Sequence, residues 1–369
     1  MMKLKQIIAC LIFGSLVVLM AVQQKPGFVI EGYVDTPKEG TMLLITLNAS
    51  DTFARAPIVD GRFRLTGSVD SIIEAALIPE GCTMGSLPLF LENSENKFEA
   101  YYNRTNDIFS SKVTGGGIQD IAAKFLSLSL GFRIKMDAVA KDIQRAQQDG
   151  KQEDLERAAR RYGQLKVQAR RGEDSLLNVY KDTYVAAYLL FTRSRHDLDL
   201  LKAESRVLGP NAWNTTYGKY IKSMLTQYEK LKVGETAPDF FAYTPDGESV
   251  SLYDVKGKVK LLYFWASWSG DCQKEGSKLL KLYDEFHDKG LEIVGFSMDL
   301  SEKRWLGALE RDQYSWIQLI DEKNQGKASD LYVVTSVPNI LLLDEDNKIV
   351  GRNLQDEVLR AELEKRLGK

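Results

Sequence analysis

The stretch Val259–Glu275, VKLLYFWASWSGDCQKE, decides how this 369-residue chain reads. Val259 to Phe264 is an apolar run interrupted only by Lys260, the pattern of a strand buried on both faces. Trp265 to Trp268 makes an aromatic elbow, and the residues after it open a helix. Ser269 stands at the helix N-cap, where its hydroxyl can accept a hydrogen bond from the backbone N–H three residues on, that of Cys272. With no histidine or lysine base in its motif, Ser269 is a cap rather than an activated nucleophile. Cys272 sits in the first turn, where the helix dipole favours thiolate while the neighbouring Asp271 opposes it. Glu275, one turn later, is a proton acceptor if buried beside the thiol and an ordinary helix carboxylate if exposed.

Working outward, the pattern predicts a helix to about His287 and a parallel strand over Leu291–Ser297, one βαβ unit with a right-handed crossover. A helix over Ser301–Asp312, a strand over Trp316–Ile320, a hairpin of Asn339–Leu343 with Lys348–Gly351 and a final helix over Gln355–Leu367 complete the module. Upstream, Gly247 marks a hairpin and Ser249–Leu252 a short strand, so the module spans 232–369.

The frame W-A-S-W-x-G-x-C-x-x-E at Trp265, Ala266, Ser267, Trp268, Gly270, Cys272 and Glu275 resembles exported thioredoxin-like proteins of the TlpA/ResA and AhpC/TSA type. Pro238-Asp239-Phe240 and the stretch L-Y-V-V-T-S-V-P-N-I-L-L-L-D resemble the same group at its opening and before its last hairpin. The resemblance implies a central sheet flanked by helices. It also implies a cis proline at Pro338, preceded by Val337, with backbone beside the thiol left free to pair with an extended substrate. Trp265, Trp268, Val337 and Pro338 are then the residues of a substrate groove. The departures fall on the chemistry: Ser269 replaces the attacking cysteine of C-x-x-C, Asp271 the usual proline, Tyr263 a buried acid, and Gly276-Ser277 a kink-forming proline segment.

Three functions follow from this site. The first is thiol-disulfide exchange through Cys272 alone, or with Cys82 or a partner's thiol. The second is a thiol peroxidase, for which Ser269-x-x-Cys272 fits the T/S-x-x-C of peroxiredoxins, although Trp265 stands where that motif has proline. The third is a non-catalytic module that keeps the groove for an extended peptide or an envelope protein, since fold alone does not carry function.

Ahead of the module the chain changes character twice. Short alternating runs at Phe28–Val34, Thr41–Leu47 and Arg62–Gly67, punctuated by Pro37, Asp60-Gly61, Pro79 and Gly81, predict an antiparallel β-sandwich over 23–117. This part resembles the small β domain that precedes thioredoxin-like modules in exported proteins, a resemblance that implies architecture and no chemistry. From 118 to 231 the period becomes helical, as at Ile121, Phe125, Leu128 and Phe132, with a hairpin turn at Asp149-Gly150 and a break near Gly209-Pro210. Residues 22–118 carry 8 basic and 12 acidic side chains, 119–231 carry 20 and 14, and 232–369 carry 19 and 25. The basic run Arg157, Arg160, Arg161, Lys166, Arg170 and Arg171 is mixed with Glu153, Asp154 and Glu156, the composition of a solvated helix face. A formal charge of −2 gives no case for nucleic acid.

Met1–Val22, with Lys3 and Lys5 before the uncharged Ile7–Val22, predicts a signal peptide and an exported protein in the periplasm or cell envelope. If it is not cleaved, it is the only membrane anchor the sequence offers; Cys10, ahead of most of the apolar run, reads as part of that run rather than a lipidation site. Beyond it only Cys82 and Cys272 remain, too few for a disulfide framework. Cys82, in P-E-G-C-T-M-G, has no acid, base or histidine arranged around it and reads as a free thiol. No cofactor or metal is implied: nucleotide-binding glycine motifs are missing, and the two histidines, His196 and His287, lie in charged helical stretches.

Overall fold

The computed structural model describes residues 27–47, 51–82, 85–103, 111–321 and 327–368. The predicted signal segment and Cys10 lie outside them. The chain divides into two compact units, Met1–Tyr180 and Lys181–Lys369.

In the first unit the alternating runs become strands β1 (Phe28–Val34), β2 (Gly40–Thr46), β3 (Thr52–Ile58), β4 (Arg62–Gly67), β5 (Ile73–Pro79), β6 (Leu87–Leu91), β7 (Phe98–Tyr102) and β8 (Lys112–Thr114). They form two four-stranded sheets, ordered β4-β1-β7-β8 and β3-β2-β5-β6. Alternate side chains from both sheets, among them Phe28, Ile30, Met42, Leu44, Phe63, Leu77 and Phe98, meet in one core. One pairing departs from the antiparallel expectation: β1 and β7 run parallel. Parallel neighbours need a long crossover, and the intervening chain, which builds the second sheet, supplies it.

Two long helices, α1 (Gly117–Gln148) and α2 (Gln152–Val179), follow as a hairpin. It turns where Gly150 takes a positive φ of 66°, a conformation that favours glycine. The hairpin is rooted on the β-sandwich by Glu92, which accepts hydrogen bonds from the N–H groups of Gly117 and Ile118 at 2.6 and 2.7 Å. Arg157, Arg160 and Arg170 are paired along α2 with Asp154, Glu156 and Asp174.

The second unit opens with helices α3 (Tyr184–Ser194), α4 (Leu198–Glu204), α5 (Pro210–Asn214) and α6 (Thr216–Glu229). The helical stretch read as one segment from the sequence is thus divided between the two units at Tyr180/Lys181. Strands β9 (Phe241–Tyr243), β10 (Ser249–Ser251), β11 (Val259–Trp265), β12 (Leu291–Ser297), β13 (Ile317–Ile320), β14 (Asn339–Asp344) and β15 (Ile349–Arg352) then form one sheet, ordered β10-β9-β13-β12-β11-β14-β15. The apolar run is an interior strand beside the middle one, buried along its whole length, parallel to β12 and antiparallel to β14. Helices α7 (Gly270–Phe286), α8 (Glu302–Asp312), the one-turn α9 (Lys327–Leu331) and α10 (Asp356–Leu367) complete the fold. Leu279 and Phe286 of α7, Trp305 of α8 and Leu359 of α10 cover the face carrying Leu261, Tyr263 and Trp265. On the alternate positions, Phe264 and Phe296 pack with Phe240 and Tyr332.

Candidate active site at the strand–helix elbow

The elbow lies at the carboxyl ends of β11 and β12, where Trp265 pairs with Ser297 and the N–H of Met298 donates to the carbonyl of Trp265 at 2.8 Å. Its conformation is held by Asp299, a buried carboxylate that accepts from the N–H and the hydroxyl of Ser267, at 2.9 and 2.6 Å, and from the hydroxyl of Ser297 at 2.8 Å. A buried carboxylate is tolerated because hydrogen bonds replace the water it gives up. Sequence reading missed Asp299; the available signal was an acid two residues beyond the strand that neighbours the elbow.

Ser269 is the N-cap of α7, its hydroxyl accepting from the N–H of Cys272 at 3.2 Å. Cys272 is a free thiol, 0 % exposed, within the core that contains Tyr263, Trp265, Leu279 and Trp305. Burial pushes its thiol up from the ordinary range, against the opposing pull of hydrogen bonding with Ser269 and the Ala266 backbone; Asp271 adds to the rise. Beneath it the hydroxyl of Tyr263 donates to the carbonyl of Cys272 at 2.7 Å, and burial drives that phenol far above its usual value. The carboxylate of Glu275 is largely buried and lies 3.4 Å from the ammonium of Lys278, which also bonds Asp356 at 2.6 Å.

The two elbow tryptophans part company. Trp268 is 66 % exposed, whereas Trp265 is 1 % exposed, its indole N–H donating to Gln318 at 3.1 Å and its ring edge-on to Tyr314. Trp265 therefore supplies no groove wall, contrary to the expectation from sequence: as the last residue of β11 it points into the same core as Tyr263 and Leu261. Gly276 belongs to this packing, because a Cβ there would strike the Tyr314 hydroxyl. On the other side of β11, Asn339 pairs with Phe264, so the preceding Val337 and Pro338 run on beside the elbow. Their peptide bond is cis; Val337 packs against the core that holds Cys272, and Pro338 is half-buried.

Among the described residues no group of three or more His, Cys, Asp or Glu could hold a metal ion. His287 Nδ1 lies 3.1 Å from the carbonyl of Leu291, and His196 Nδ1 lies 2.6 Å from the carbonyl of Thr335. Cys82 is a half-buried free thiol in the first unit.

Residues 233–352 match the family model for the AhpC/TSA family, and residues 28–121 match a domain of unknown function, DUF4369. The thioredoxin-like protein YneN of Bacillus subtilis is 37% identical over 145 residues, covering 39% of this chain and 81% of its own length. The chain belongs to the ResA-type thioredoxin-like family. Within that family, a thiol-disulfide oxidoreductase ResA of Bacillus thuringiensis is 29% identical over 144 residues, 39% of this chain and 82% of the relative. The crystal structure of the thioredoxin domain of a thiol-disulfide oxidoreductase from Bacteroides vulgatus is 38% identical, covers 37% of this chain and 99% of its own, and superposes with a TM-score of 0.36.

Proposed function

We propose that the second unit is a binding module of the cell envelope, one that holds extended peptide or protein along Trp268 and the Val337–Pro338 segment on a scaffold of thiol-disulfide oxidoreductase lineage. In this reading Ser269 occupies the place of the attacking cysteine. The observation that carries it is the placement of the elbow's one thiol: Cys272 is fully buried, and that burial pushes the thiol up, against ionisation. Exchange requires a thiolate that reaches the substrate's sulfur, and peroxide chemistry requires that an oxidant reach the thiol. Ser269 does not substitute in this reading, because its hydroxyl caps the backbone of α7 and its motif holds no histidine or lysine base. Peptide binding needs neither step; it needs an accessible aromatic surface, which Trp268 supplies. Export is supported by Lys3, Lys5 and the uncharged Ile7–Val22.

The alternative, exchange or peroxidase chemistry through Cys272 alone, draws support from the hydrogen bonds that lower the thiol against its burial. Insulin-disulfide reduction separates the two. Wild type should show no dithiol-type turnover, Ser269→Cys should gain part of it, and a wild-type rate matching a two-cysteine thioredoxin would overturn the proposal. Titration with an unfolded, cysteine-blocked polypeptide should change Trp268 fluorescence in the wild type.

A further inference from the structure

The segment between α9 and β14, Tyr332–Pro338, carries the half of the proposed binding edge that faces the elbow. Its first part is secured from within the module: the Tyr332 hydroxyl donates to the carbonyl of Pro238 at 2.5 Å, and the N–H of Val334 donates to the carbonyl of Ser329 at 2.8 Å. Val333 nevertheless has φ of 49°, a left-handed conformation disfavoured for a β-branched side chain, so surrounding contacts must hold it there. Two of those contacts come from helices outside the thioredoxin-like sheet. The side-chain amide of Gln227 on α6 donates to the carbonyl of Leu331 at 2.8 Å, and His196, in the turn between α3 and α4, meets the carbonyl of Thr335 at 2.6 Å. The two carbonyls lie two residues before and two residues after Val333.

The histidine's protonation pattern follows from its neighbours. Arg195 Nε donates to His196 Nε2 at 3.2 Å, so Nε2 is the acceptor, and a neutral ring then carries its proton on Nδ1, which donates to Thr335. Both ring nitrogens are used. A third link joins the same helices to the strand hairpin: Arg352 of β15 donates to the carbonyl of Leu231 at 3.0 Å and lies 4.7 Å over the ring of Tyr228.

We propose that His196 and Gln227 are positioning residues that fix the Leu331–Pro338 backbone beside the elbow, so that helices α3–α6 are a working part of the binding site. The inference deepens the binding function proposed above and rests on it only for the ligand, since the backbone order it requires is measurable without one.

The test uses the full chain with His196→Ala, His196→Gln and Gln227→Glu, the last keeping side-chain size while removing the donor. Amide hydrogen exchange of Val333–Val337 should quicken about tenfold in His196→Ala and Gln227→Glu, the consequence of losing one hydrogen bond to a locally opening segment. It should be restored in His196→Gln, which returns a donor, while exchange in β11 stays unchanged. Affinity for the unfolded, cysteine-blocked polypeptide should fall in parallel. Unchanged exchange at Val333–Val337 in both donor-loss variants would overturn the inference, as would quickening spread evenly over the unit. Quickened exchange in the segment with no polypeptide binding even by wild type would keep the positioning role and reject the binding function instead.

Discussion

Trp265 and Trp268 stand three residues apart in one motif and meet opposite surroundings. The underside of the elbow is sealed: Trp265, Tyr263 and Cys272 lie in a continuous core under α7. The rim is open at Trp268, mostly in solvent, while Val337–Pro338 run on from the strand that pairs with β11. The sulfur of the elbow belongs to the packing, whereas its outer aromatic ring faces solvent.

The largest expected effect breaks the sealed half. Trp265→Ala removes a fully buried indole and its bond to Gln318, and should cost about 3–5 kcal/mol in denaturant unfolding. Next, Gly276→Ala should cost about 1–3 kcal/mol, because the added methyl meets the Tyr314 hydroxyl. That hydroxyl is buried with no hydrogen-bond partner among the described residues, so Tyr314→Phe alone should be near neutral and should relieve part of the Gly276→Ala cost. A double-mutant cycle by urea unfolding checks both statements.

Ser269→Ala, which removes the cap bond to Cys272, should cost about 1 kcal/mol. Trp268→Ala should cost less than about 0.5 kcal/mol, as for an exposed side chain, while weakening binding of the unfolded, cysteine-blocked polypeptide. A loss from Trp268→Ala as large as that from Trp265→Ala would erase the distinction between rim and underside.

Alkali sharpens the same contrast. Cys272 is raised by burial, and Tyr314 is raised to about 12 chiefly by burial, so the folded protein binds these protons more tightly than the unfolded chain. Their stabilising contribution is whole below the unfolded-state values. It falls as pH climbs from the unfolded-state toward the folded-state values, starting near the ordinary thiol range of about 8.5. Urea midpoints should therefore decline above that pH, and Cys272→Ala should flatten the first part of the decline.

The apolar run before the elbow made β11 legible, because six residues with a single charge leave little choice but a strand buried on both faces. The cap role of Ser269 was legible for a similar reason: serine three residues ahead of an N–H at a helix start has one common use. Trp265 was misplaced because it was read as the start of the elbow; it is the last residue of β11, and the strand period that turns Leu261 and Tyr263 inward carries on to it. Asp299 and Tyr314 escaped notice because each acts on a residue far away in sequence, Ser267 and Gly276. The three-residue β9 was too short to carry a pattern, and the change from one unit to the next at Tyr180/Lys181 falls inside continuous helical composition.

Cys272 is a packed thiol, and the rim proposed to bind peptide exposes Trp268. The most direct measurement is the rate at which a small alkylating agent labels each cysteine of the native full chain, read peptide by peptide by mass spectrometry. Half-buried Cys82 should label well before Cys272, which should remain unlabelled until denaturant unfolds the second unit. Native labelling of Cys272 as fast as a free thiol, accompanied by peroxide or disulfide turnover, would contradict the account.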